Sequence, residues 1–135
     1  MPNNSRALSW LYITNATLLA THEIDSAFWH EWEMFRLPGG LQLFLVLNAG
    51  LLLVVFYGCI RVARVERGTK GFSYILAAAG LFTFVIHMAF IVSGHPSFRT
   101  PVSVGLLIAI LLVSIVQIVV VTRTDIPPKA TGLEL

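Results

Sequence analysis

Two His-Glu pairs stand eight positions apart in THEIDSAFWHEWEMFRLPGG, the stretch over residues 21–40. It holds His22 and His30, two of the four histidines, and Glu23, Asp25, Glu31 and Glu33, four of the seven acidic residues. Imidazole nitrogen and carboxylate oxygen share protons readily, and together they ligate metal ions. Zinc takes three or four such ligands, and histidines with carboxylates from adjacent bundle helices also build iron or manganese centres. The arrangement is not HExxH, because the second histidine follows the first by eight positions rather than four. Glu-x-x-His, the mark of ferritin-like sites, occurs nowhere in the chain.

Helical phase sorts these residues. His22, Ser26 and His30 follow at i, i+4 and i+8, and Glu33 stands three after His30. At about 100° per residue they form one stripe, flanked by Glu23 and Asp25. On the same unbroken helix Glu31 falls about 180° from His22 and points away. The expected metal set is therefore His22, Glu23, Asp25, His30 and Glu33, with His87 from a later segment. Zinc, iron and manganese are the ions it would take.

The elements that must position these groups are unusually apolar. Only 12% of the 135 residues are charged and 56% are hydrophobic. Residues 41–60, 72–93 and 102–122 carry no lysine, arginine or carboxylate. Each run is about 20 residues, enough as helix to cross a hydrocarbon layer of about 30 Å. A chain of this size has too little interior to bury three helices that are apolar all round. The expected fold is an all-α integral membrane four-helix bundle, a single domain over 1–135. Its helices are expected at 7–35, 41–60, 72–93 and 102–122. The first reads as one long helix stopped by Pro38, Gly39 and Gly40. Arg6 before the apolar 7–20 also fits a signal peptide, with Leu18 and Ala20 a poor cleavage pair.

Charge sets the orientation. Arg61, Arg64, Arg67 and Lys70 crowd one short link against Glu66 alone. Short basic links stay in the cytoplasm. Both termini then lie inside, with 123–135 as a short cytoplasmic tail, and seven of nine basic residues fall on that side. His22 and His87 each stand 15 residues beyond the inner end of their helix, about 22 Å along it. They share a layer in the outer half, and Asn48 falls in it too. Trp29, Trp32, Phe35 and Phe98 suit the outer interface. Asn15, Asn48 and Gln117 read as glue between helices, and His95 as a surface residue.

The single Cys59 excludes a disulfide framework and a cysteine-rich metal site. No P-loop, dinucleotide fingerprint or serine elbow is present, and the composition excludes a nucleic-acid reader. No residue declares itself catalytic. Over HEID at 22–25, the tract 29–33 and LPGG at 37–40, the chain resembles a group of small uncharacterised bacterial membrane proteins of unknown function. That resemblance implies four spans in the inner membrane and no transferable activity.

Three functions fit: an outward-facing His/carboxylate metal site, a proton or ion transporter or its accessory subunit, or a membrane interaction protein with a structural polar stripe. The bilayer is the first partner, and a second copy or another membrane protein the next. The orientation is open to test. A reporter fused after Lys129 sits in the cytoplasm; external activity would overturn the depth argument.

Overall fold

The computed structural model describes residues 2–124. These form α1 (Pro2–Phe28), α2 (Glu31–Met34), α3 (Leu41–Ala63), α4 (Thr69–Val92) and α5 (Pro101–Thr122). The tail from Asp125 onward lies outside the described residues. The fold is all-α. α3, α4 and α5 are each long and apolar enough to cross a membrane. Their outer faces leave Leu53, Phe56, Phe82, Val85, Val102 and Leu112 uncovered. A water-soluble monomer rarely exposes so much contiguous apolar surface, and lipid is the solvent that suits it. The molecule is a helical bundle of membrane-spanning type.

α1 is more polar because one of its faces builds the interior. Leu8, Tyr12, Ala16 and Leu19 recur at helical spacing and are buried against Val55, Val62, Leu76, Ile110 and Val121. The same stripe continues upward through Asn15, His22 and Ser26, all buried. The opposite face shows Trp10, Ile24 and Phe28 to the surroundings. α1 packs on α5 and α3, and α4 packs on the same two helices from the other side. α1 also meets α4 across the middle. Asn4 Nδ2 donates to the Arg123 carbonyl at 3.4 Å, so α1 starts and α5 ends on one side of the bundle.

α1 stops at Phe28, where one unbroken helix to Phe35 is the sequence expectation. His30 adopts φ 54, in the left-handed region. Its N–H donates to the Ala27 carbonyl at 3.3 Å, three residues back rather than four. This closure ends the helix before Pro38, Gly39 and Gly40 come into play. α2 then ends on its own left-handed residue, Arg36. There the Leu37 N–H reaches Trp32 O and the Arg36 N–H reaches Glu33 O, a Schellman pair. α3 and α4 end in the same way, at Val65 and Gly94. α5 begins with Thr100 as N-cap, its Oγ1 accepting the Ser103 N–H at 3.1 Å, and with Pro101 in the first turn.

Halfway along the bundle lies a hydrogen-bonded polar layer. Asn15 Nδ2 donates to Gln117 Oε1 at 2.8 Å and to Ser114 Oγ at 3.2 Å. Gln117 Nε2 donates to the Ser73 carbonyl at 3.1 Å. Tyr12 hydroxyl donates to the Val55 carbonyl at 3.1 Å. Asn15, Ser73, Ser114 and Gln117 are fully buried, so α1, α4 and α5 are joined where no water competes. α4 and α5 approach closely through Gly80. A Cβ there would overlap Ser114 Oγ, and Ile110 Cγ2 would be 3.1 Å away. Gly80→Leu therefore lowers thermal stability in detergent by about 3 kcal/mol through overpacking. Gly50→Leu leaves it nearly unchanged, because no atom lies within 4 Å of a Cβ there. Equal melting temperatures for the two variants would count against this packing.

Candidate metal centre

The break after Phe28 resets the helical phase of everything that follows. Glu31, expected to face away from His22, is turned back over the end of the bundle. His22, Glu31 and His87 each offer one ligand atom, and the three atoms lie within 4.8 Å of one another. Three elements supply them: α1, α2 and α4.

His87 is held in one tautomer. Its Nδ1 lies 2.8 Å from the Thr83 carbonyl, which can only accept, so Nδ1 carries the hydrogen. In the neutral ring Nε2 is then a bare lone pair. It points at Glu31 Oε2, 3.7 Å away, which is too long for a hydrogen bond. A backbone carbonyl on the far nitrogen is how histidines that bind metal are usually oriented. His22 contacts Ser26 through Nε2 at 3.3 Å. The two imidazoles meet edge to face, with ring centroids 4.4 Å apart.

Burial makes these groups costly. His22 is 1% exposed, His87 3% and the Glu31 side chain 15%. Among the described residues His22 Nδ1, His87 Nε2 and Glu31 Oε2 are buried polar atoms without a hydrogen-bond partner. Each residue of the trio thus contributes one unsatisfied atom. Such atoms usually cost about 1–3 kcal/mol apiece, and a native structure that keeps them has a reason. Zinc takes imidazole nitrogen and carboxylate oxygen at about 2.0–2.2 Å, and both kinds of donor are gathered here. Burial pushes the Glu31 carboxyl up, but the His87 and His22 rings when they carry a proton, together with the Ser26 hydroxyl, pull harder the other way, so it is held below the ordinary carboxylate value. The trio is a buried His/His/Glu cluster capable of coordinating a metal ion.

The other expected ligands go elsewhere. Asp25 accepts from Ser103 Oγ at 3.1 Å, at the start of α5. There its negative charge faces a helix N-terminus, a favourable place for it. Glu23 lies toward Asn48 on α3 and borders a cavity of about 40 Å³ with Leu52, Val55 and Thr83. His30 and Glu33 pair at 3.9 Å with side chains 61% and 69% exposed, on the outside of the turn. Sequence reasoning missed Glu31, because its phase was reckoned on an unbroken helix. It also missed Phe98, expected at an interface but wholly buried here. Its ring lies 4.5 Å from His87 and 5.7 Å from His22. The residue types at 98 and 99 carry no signal for that placement.

These features define a helical protein of membrane-spanning type with a buried cluster suited to a transition metal. The chain belongs to a family of unknown function, DUF6713, whose pattern matches residues 8–124. No curated protein and no solved structure matches it.

The left-handed His30 tests the geometry directly. Non-glycine residues pay about 1–2 kcal/mol there. His30→Gly therefore raises thermal stability by up to about 1 kcal/mol. A clear loss would argue that residues 21–35 form one straight helix.

Proposed function

We propose that this protein binds one divalent transition-metal ion, with zinc the best fit, through His22, Glu31 and His87 near the outer face of a bacterial inner membrane. α1 crosses the bilayer as the fourth span in this reading, with the basic 61–70 link in the cytoplasm. The observation that carries the proposal is that one ligand atom from each of the three residues lies within 4.8 Å of the others, in a cluster where each residue also keeps a buried polar atom without a hydrogen-bond partner. Two imidazoles and one carboxylate suit zinc and also iron(II), whereas calcium and magnesium favour all-oxygen sets.

Passage of an ion through a single copy is the less favoured reading. The Asn15, Ser114 and Gln117 layer lies further along the bundle from the site, and its members are fully buried and bonded to one another. A moving ion would have to break that layer. A purely structural stripe is also less favoured, since structural polar groups are normally paired and these three atoms are not.

Metal analysis of the detergent-purified protein tests the proposal. The expected result is one zinc per chain after supplementation. His22→Ala, Glu31→Ala and His87→Ala each weaken binding by more than about 100-fold, beyond what loss of an outer partner costs. Asp25→Asn and Glu33→Gln keep it. A wild type that holds no stoichiometric metal would sink the proposal. Binding lost with Glu33→Gln but kept with Glu31→Ala would move the site back to the straight-helix set.

A further inference from the structure

The three ligand groups are buried, so an ion needs a route to them. The covering pieces differ in how firmly they are held. α1, α4 and α5 are locked together by the Asn15 layer and by Ser103 on Asp25. α2 is pinned on two sides, by Trp32 against Phe44 of α3 and by Phe35 against Phe90 of α4. The remaining cover is the α4–α5 turn, residues 93–100.

Phe98 is the part of that turn that reaches the site. It is 0% exposed. Its ring packs edge-on against His87 at 79° and lies tilted over His22 at 36°. Trp29 closes the far side at 6.1 Å. The backbone beneath the ring sits at φ 61, in the left-handed region. For a bulky residue that is a rare and costly conformation. Ring burial must outweigh it.

The turn is anchored by hydrogen bonds at both ends. The first end is closed by the Gly94 and His95 N–H groups on Ile91 and Phe90 carbonyls. The second is closed by the Thr100 cap on Ser103. Between them, Ser97 N–H to His95 Nδ1 is long at 3.4 Å. Arg99 Nη2 donates to the Ile91 carbonyl at 3.1 Å from an exposed position. A phenyl ring released toward the membrane interface is in a region that aromatic side chains favour. Opening therefore costs less here than it would into bulk water.

We propose that Phe98 is the gate of the His22/His87 pocket, and that the 93–100 turn sets how fast an ion enters and leaves. The proposal rests on the metal-binding reading for its physiological cargo, but not for its geometry. Phe98 offers no ligand atom, so its loss speeds loading and release together and barely moves the equilibrium.

Two measurements on the full-length protein test this. The first follows release of bound cobalt(II) or zinc to excess chelator. Phe98→Leu and Phe98→Gly are expected to accelerate release by more than about 10-fold, with affinity held within about 3-fold. Leucine keeps most of the apolar volume and glycine removes the left-handed strain, so one variant covers a folding failure of the other. The second uses metal-free protein and diethyl pyrocarbonate, an imidazole-reactive probe. In wild type, exposed His30 reacts fast, while His22 and His87 are protected. In both variants His22 and His87 become reactive. Metal release and labelling unchanged in a folded variant would overturn the gate. A wild type that binds no metal but shows the labelling pattern would retain the gate and remove the metal reading alone.

Discussion

The His30 N–H donates to the Ala27 carbonyl three residues back, and the site hangs on that short step. A four-residue step would carry α1 on and swing Glu31 to the far face, among Ile24 and Phe28, which are exposed there. An ionised carboxylate in that position would face hydrocarbon or headgroups without a partner. With the left-handed turn in place, the chain doubles over and Glu31 comes down on His87. The cost of an unusual φ at a histidine is modest, since histidine enters this region more readily than most side chains. What it supports is the only cluster of metal-ligating type among the described residues.

The bundle handles buried polar groups in two ways. In the middle layer Asn15, Ser114, Gln117 and the Ser73 carbonyl form a chain of mutual hydrogen bonds. Amides and hydroxyls can do this because each offers both donors and acceptors. In the layer beneath α2, His22, Glu31 and His87 offer mainly acceptors once His87 has spent its one hydrogen on Thr83. Acceptors cannot satisfy one another. They need a proton, a water or a cation between them. One stripe of α1 supplies members to both layers, so the contrast comes from residue chemistry rather than from burial.

Much of the fold was legible in the sequence. The apolar runs at 41–60, 72–93 and 102–122 coincide with helices because few other residues of such length tolerate that surface. The pairing of His22 with His87 followed from equal distances along two helices. The phase of His22 and Ser26 held as far as the helix itself held. Beyond Phe28 it misled: His30 and Glu33 left the stripe and Glu31 joined it. Nothing local announces the break, since Trp29 and His30 are neither proline nor glycine. The turn is settled by tertiary packing, with Trp29 against Phe98 and Trp32 against Phe44. A periodicity argument sees one helix at a time and cannot weigh such contacts.

Charge balance says what the neighbours of the proposed centre are for. A divalent ion on two neutral imidazoles and one carboxylate carries a net +1. In low-dielectric surroundings a lone charge is expensive unless another offsets it. Glu23, the next residue to His22, has the sign to do so once ionised, and a nearby cation favours that form. Its place by a small cavity with Thr83 would keep it close without making it a ligand. Asp25, by contrast, is tied through one oxygen to Ser103 at the start of α5. On this account the acidic residues of the 21–40 stretch divide into a ligand, a counter-charge, a tie to α5 and a surface partner. The turn at His30 separates Glu31 from Glu33, and the phase of α1 itself separates Glu23 from Asp25.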